Sequence, residues 1–81
     1  MPEVTLELPG GGEVAALDDP VSDRIRCDHP VKADGAALAR ALWTAARERG
    51  RGRIVVLAPA ALAAGLRAEG LRQEARMPGF Y

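Results

Sequence analysis

The sequence predicts an α/β (α+β) fold with a mixed sheet of about four or five strands and two helices, in the order β-β-β-α-β-α-β. Three stretches carry this prediction. Apolar and polar residues alternate in "VTLEL", apolar residues recur at helical spacing in "ALARALWTAARERG", and "RIVVLAP" is a nearly unbroken apolar run. A length of 81 residues favours one small domain, with a hairpin in residues 1–20 and an αβ core in residues 21–81.

The first predicted element is a β-hairpin. Val4, Leu6 and Leu8 alternate with polar residues, which is typical of a strand with one buried face. "PGGG" supplies a flexible turn, and "EVAAL", residues 13–17, returns as the second strand. We expect "DDP", residues 18–20, to end that strand, because Asp and Pro are disfavoured in sheets.

A third strand and the first helix follow. Ile25 and Cys27 share one face of "DRIRCDH", and Pro30 is expected to end this strand. Asp34 is a predicted helix cap, because its carboxylate accepts hydrogen bonds from the free N–H groups of a first turn. Gly50 is a natural helix end. The predicted apolar stripe of this helix consists of Leu38, Ala41, Leu42 and Ala45, with Trp43 at its edge.

The remaining elements complete the predicted sheet. "RIVVLAP" is typical of a strand that is covered on both faces. Pro59 fits the first turn of a second helix, Gly65 inside that helix indicates close packing, and Gly70 is expected to end it. "LRQEARM", residues 71–77, alternates apolar and charged side chains and predicts a last strand, which is followed by a turn.

Composition limits the classes of function. Eleven basic and eleven acidic residues cancel, which argues against nucleic-acid binding through a broad basic face. The sequence has no apolar run long enough to cross a membrane, and its start lacks the features of a signal peptide. A single cysteine, Cys27, favours a reducing, cytoplasmic location. Because Ala makes up much of the apolar content and buries little area per residue, we expect a small hydrophobic core and a domain that packs against a partner for stability.

Few residues offer chemistry on their own. Cys27 and His29 could give two ligands on one strand face, but zinc needs at least three protein ligands, so no metal site is predicted in a single chain. His29 is interpreted as a loop residue before a proline. A small autonomous enzyme ranks lowest among the hypotheses, because the sequence lacks a nucleophile paired with a base.

The second half of the chain resembles the GNAT superfamily of N-acetyltransferases. "SDRIRC", "GRIVVLAP" and "GLRQEARMPGFY" follow, in order and spacing, the N-terminal part of β-lysine N-acetyltransferases, and the resemblance covers about residues 21–81. Members of that family continue past "PGFY" into a further strand and a catalytic domain that holds acetyl-CoA. The resemblance therefore implies that this chain is a truncated, non-catalytic N-terminal region, without catalytic residues of its own.

The resemblance also implies a candidate cofactor loop. N-acetyltransferases hold the pyrophosphate of acetyl-CoA in a Gln/Arg-x-x-Gly-x-Gly/Ala loop at a helix start, and Lys32, Gly35 and Ala37 give a similar pattern. The alternative is that Asp34 caps the helix there and repels a pyrophosphate, which we favour. Acetyl-CoA is accordingly expected in a full-length relative and not in this chain alone.

The end of the chain is the predicted interface. The resemblance implies that the missing catalytic part packs against the interface or substrate side formed by Arg76, Met77, Pro78, Phe80 and Tyr81. A second copy in a homodimer is the other partner that we consider. Both aromatic rings are expected to point outward. The competing hypothesis is a stand-alone α/β interaction module that dimerises through an exposed edge strand and this aromatic tail, without enzymatic activity.

Overall fold

The computed structural model describes residues 3–28, 30, 34–74 and 76–81. It contains a four-stranded mixed sheet and two α-helices, which confirms the predicted fold class. The elements in chain order are β1 (Glu3–Glu7), β2 (Glu13–Asp19), β3 (Arg24–Asp28), α1 (Gly35–Arg49), β4 (Arg53–Leu57), a 3-10 turn (Ala60–Leu62) and α2 (Ala63–Ala68).

The sheet has the strand order β1-β2-β3-β4. The hairpin partners β1 and β2 are antiparallel, as are β2 and β3, whereas β3 and β4 are parallel and are joined through α1. The hairpin turn closes at Leu8, whose N–H donates to the Gly12 carbonyl at 2.9 Å. Gly10, Gly11 and Gly12 all have positive φ, a conformation that explains the glycine run.

Helix α1 agrees with its prediction at both ends. The Asp34 carboxylate accepts a hydrogen bond from the Ala37 N–H at 3.1 Å, which is N-cap geometry. Gly50 has a φ of 69° and ends the helix in the left-handed conformation. Trp43 is half-buried and packs against the rim of the core, as its place at the edge of the stripe predicts.

One hydrophobic cluster joins the hairpin to the rest of the chain. Alternate residues of the strands contribute Val4, Ala16, Ile25, Cys27, Ile54 and Val56 to this cluster. The two helices contribute Leu38, Leu42 and Leu66, all fully buried. Both described helices therefore pack on the same face of the sheet. Ile54, Val55 and Val56 of β4 are all buried, as the prediction of a strand covered on both faces requires, although no described helix packs on the face of Val55.

Two further boundaries differ from the predictions. The second strand runs to Asp19 instead of ending at Leu17, because Asp18 and Asp19 are buried against arginines that lie elsewhere in the sequence. The predicted last strand at 71–77 is wrong: residues 71–74 form no strand and residues 76–79 form turns. The Leu71 N–H donates to the Leu66 carbonyl, so the backbone curls around the end of α2 and does not extend into a ladder.

Candidate functional site

The residues predicted to bind acetyl-CoA lie at the start of α1. Lys32 lies outside the described residues, Gly35 is the first residue of the helix, and Ala37 is buried in its first turn. The Ala37 N–H is already engaged by the Asp34 carboxylate, and the Asp34 carbonyl accepts from the Leu38 N–H at 2.9 Å. This geometry favours the helix-cap interpretation, and the cofactor loop stays a prediction.

Gly35 also has a packing role. A Cβ atom placed on Gly35 would lie 2.4 Å from the carbonyl oxygen of Leu62, and one on Gly65 would lie 2.5 Å from the backbone nitrogen of Ala36. Both distances are far below van der Waals contact with backbone atoms, so only glycine fits at either position. The start of α1 therefore crosses the 3-10 turn and α2 at close range, which confirms the close packing predicted from Gly65.

The predicted interface segment folds back onto the sheet. Pro78 and Gly79 occupy the middle of a turn in which the Phe80 N–H donates to the Met77 carbonyl at 3.0 Å, and the positive φ of Gly79, 83°, is typical of a type II turn. Tyr81 then exchanges two backbone hydrogen bonds with Val56, at 2.7 and 2.9 Å. Residues 79–81 thus lie antiparallel to the outer edge of β4, where Leu57 and Phe80 form a bridge.

The two aromatic rings of this segment lie in different surroundings. Tyr81 is 8% exposed and belongs to the core cluster, and its hydroxyl donates to the Gln73 side-chain oxygen at 3.2 Å. The prediction that Tyr81 points outward is therefore wrong, since pairing with Val56 places its ring on the helix-covered face of the sheet. Phe80 is half-buried, on the opposite face. Arg76, Met77 and Pro78 are exposed, as an interface requires.

The helix-free face of the sheet carries an apolar group that the sequence patterns did not reveal. Cross-strand pairing aligns Leu17, Arg26 and Val55 in one row, and Leu57 pairs with Phe80 in the next. We call the apolar members of these rows, Leu17, Val55, Leu57 and Phe80, the open-face patch. Val55 is only 7% exposed although it lies outside the core cluster, while the other three are half-buried. Only the strand register, which sequence alone does not give, places these residues on one face, with Arg26 between Leu17 and Val55.

A charged cluster lies at the end of the sheet opposite to Phe80, beside the first residues of β3 and β4. The Asp18 carboxylate accepts from Arg51 Nε at 2.6 Å and from Arg49 Nη1 at 3.4 Å, and Asp19 accepts from the Ser22 N–H and from Arg24. The hydrogen bond from Arg51 holds the pKa of Asp18 below its usual value, against an opposing effect of burial. The hydrogen bond from the Ser22 N–H does the same to the pKa of Asp19. The Asp18 contacts tie β2 to the end of α1 and to the residue Arg51 that follows it, while the Asp19 contacts hold the turn into β3. The role of this cluster is structural.

The remaining chemical groups offer no assembled site. The Cys27 thiol is fully buried and faces the Ala15 carbonyl at 3.6 Å, and burial raises its pKa to about 11, with a smaller effect of Asp28 in the same direction. A thiol in this state is protonated at neutral pH and unreactive. His29 lies outside the described residues. Within the described ranges, no group of three or more His, Cys, Asp or Glu side chains is placed to hold a metal ion.

The comparisons with known proteins add no relative. None of the helices that the structure describes is both long and apolar enough to cross a membrane. No family model, no curated protein and no solved structure matches this chain.

Proposed function

We propose that this chain is the non-catalytic N-terminal part of an acetyl-CoA-dependent N-acetyltransferase that acts on a small amine such as β-lysine. In this proposal the chain packs against a following catalytic domain, which binds acetyl-CoA and carries the catalytic residues. The resemblance of "SDRIRC", "GRIVVLAP" and "GLRQEARMPGFY" to the N-terminal part of β-lysine N-acetyltransferases supports it. The lone buried Cys27 favours a reducing, cytoplasmic location for the enzyme.

The observation that carries this proposal is the open-face patch. Parallel strands are usually covered on both faces of a sheet, and here the described helices cover one face of the parallel pair β3–β4. Leu57 and Phe80 pair across the strands on the other face and are half-buried, so a further layer there would bury them, and Val55 lies beside Leu57 on the same face of β4. The patch includes Phe80 from the predicted interface, whereas Tyr81 from that interface is buried in the core.

The start of α1 supports the non-catalytic part of the proposal. A pyrophosphate needs unoccupied N–H groups and no nearby carboxylate. Asp34 supplies a carboxylate at this helix start and already accepts the hydrogen bond of Ala37. Gly35, in turn, faces the backbone of Leu62 and Gly65. Acetyl-CoA at millimolar concentration should therefore leave the melting temperature of the 81-residue chain unchanged, whereas occupancy at 100 times the dissociation constant would add about 2.7 kcal/mol to its stability.

A pair of matched variants tests the proposal in the natural gene product that contains this chain. Phe80→Asp places a charge in the open-face patch, and we expect a loss of about tenfold or more in acetyl transfer to β-lysine, because an unpaired charge in an interface is costly. Val21→Asp makes the same change at a residue that is 94% exposed and lies in the turn between β2 and β3. Equal activity of the two variants, with wild-type folding by circular dichroism, would reject the docking role of the patch.

A second candidate function is a stand-alone association module without enzymatic activity. The specific observation in its favour is that Met77 is 51% exposed and adjoins Phe80 at the border of the sheet. Light scattering on the purified chain separates the two candidates: a stable homodimer that Phe80→Asp dissociates favours the module, whereas a monomer favours the acetyltransferase component.

A further inference from the structure

A groove separates the edge strand β1 from helix α1, on the side of the sheet opposite to β4. It has a volume of about 540 Å³, within the range of ligand-binding clefts. Leu6 and Leu8 line it from the hairpin, and Ala41 and Ala45 line it from the helix. The small alanine side chains of α1 set the helix surface back, so the groove has an apolar floor between a strand and a helix.

The backbone of β1 offers hydrogen bonds to this groove. The strand is at the border of the sheet, since the order is β1-β2-β3-β4. The Leu8 N–H donates to Gly12 across the hairpin, and the antiparallel ladder then alternates in direction. The N–H and C=O groups of Glu3, Thr5 and Glu7 are thereby directed away from β2, toward the open edge. An edge of this kind is a template for one more strand.

Charges determine which strand fits. Glu3 and Glu7 are exposed and flank the outward-directed Thr5 backbone, and Glu48 lies on the helix side of the groove. The basic residue in the lining, Arg40, is held by Glu69 at 2.9 Å. Within the described part of the chain, neither Glu7 nor Glu48 makes an ion pair. The groove is therefore acidic as well as apolar.

A second copy of β1 does not suit this edge. In an antiparallel pairing centred on Thr5, Val4 would lie opposite Leu6 of the other copy, but Glu3 would lie opposite Glu7 twice. Like charges that are directly opposite each other destabilise strand pairs. A strand with basic residues at those two positions forms attractive pairs instead.

We infer that the groove between β1 and α1 binds an extended, basic peptide segment of a protein partner by strand addition. The segment has the pattern basic–apolar–any–apolar–basic and runs antiparallel to β1. Its basic residues lie opposite Glu3 and Glu7, and its middle residue exchanges backbone hydrogen bonds with Thr5. The two apolar residues lie opposite Val4 and Leu6, on the helix side of the sheet, where the groove over Ala41 and Ala45 receives them.

Three peptides test this inference against the whole chain. The probe is acetyl-Gly-Lys-Val-Thr-Val-Lys-Gly-amide with a fluorescent label, and binding is measured by anisotropy at about 50 mM salt, where charge pairs are weakly screened. The first control replaces both lysines with glutamate. The second replaces the central threonine with proline, which removes the N–H that pairs with the sheet. We expect saturable binding of the probe and at least about fivefold weaker binding of each control.

A pair of protein variants locates the site. Glu7→Lys should weaken binding of the lysine probe about fivefold and strengthen binding of the glutamate peptide. Glu74→Lys changes the net charge equally at an exposed position outside the groove, and it should leave both affinities within about twofold. Amide chemical shifts of the wild-type chain should move in β1 and in the α1 turns that contain Ala41 and Ala45. Equal affinity for the lysine and glutamate peptides, no binding at millimolar peptide, or shifts confined to another surface would overturn the inference.

Discussion

The crossing of α1 and α2 gives the sharpest stability prediction. Gly65→Ala would normally stabilise a helix by about 1 kcal/mol. Here the added methyl group would lie 2.5 Å from the Ala36 nitrogen and 2.8 Å from the Gly35 carbonyl carbon. All of these are backbone atoms, which no side-chain rotation can move, so the helices must separate by roughly 1 Å to restore contact distance.

The size of the effect follows from that separation. Overpacking of this kind costs about 1–3 kcal/mol, and the helix-propensity gain offsets about 1 kcal/mol of it. We expect a net loss of up to about 2 kcal/mol in the free energy of unfolding, from a total on the order of 5 kcal/mol. For a domain of this size, the melting temperature should fall by as much as roughly 15 °C, instead of rising as the helix propensity of alanine alone would predict.

Urea unfolding followed by far-ultraviolet circular dichroism and by Trp43 fluorescence measures this loss. Ala64→Gly is the control, since Ala64 is an exposed neighbour in the same helix and reports the intrinsic difference between Ala and Gly there. If Gly65→Ala gains about as much stability as Ala64→Gly loses, the two helices do not cross at contact distance and the packing argument is refuted.

Three further predictions concern the core and the charged cluster. Because the pKa of Asp18 is lowered in the folded state, its contribution to stability is present above its unfolded pKa of about 3.9 and is lost as pH falls through the folded value. Asp18→Asn should therefore lower the free energy of unfolding at pH 7, and urea titrations should show a smaller loss of stability between about pH 5 and pH 2 than in the wild type. The pKa of Cys27 is raised to about 11, so the folded state favours the protonated thiol, and the free energy of unfolding should decline as pH rises from about 9 toward 11. Because the thiol is buried, native protein should react with Ellman's reagent only as fast as it unfolds, and immediate labelling at about pH 8 would contradict this burial. Leu42→Ala removes a fully buried side chain and should cost about 2–5 kcal/mol, while Val21→Ala at the exposed turn should change stability by less than about 0.5 kcal/mol.

Local patterns were sufficient for the elements whose partners are near in sequence. The Asp34 cap, the stripe through Leu38 and Leu42, and the Gly50 end all depend on contacts within a few residues, and α1 is where the sequence predicted it. The hairpin turn was predictable for the same reason, because three consecutive glycines permit positive φ.

The errors come from non-local contacts. Asp18 stays in β2 because Arg51, 33 residues later, compensates its burial. The alternation of residues 71–77 is typical of a strand, but a strand needs a ladder, and the Glu74 N–H donates to the Phe80 carbonyl instead of to β4. Residues 79–81 take the place beside β4, and so Tyr81 is buried where an exposed ring was expected.

The candidate surfaces were predictable only in part. Phe80 is predicted at an interface from the sequence, but the other members of the open-face patch, Leu17, Val55 and Leu57, come from strands whose register depends on long-range pairing. Gly35 belongs to the phosphate-loop pattern that the resemblance implies, while its approach to Gly65 requires the three-dimensional crossing of two helices.

The most direct test of the central proposal is acetyl transfer from acetyl-CoA to β-lysine, followed by chromatography of the product. We predict that the natural gene product carrying this chain forms acetylated β-lysine, and that residues 1–81 alone, folded by circular dichroism, do not. Transfer by residues 1–81 alone would contradict the non-catalytic role, and a gene product that acetylates neither β-lysine nor a related small amine would contradict the proposed function.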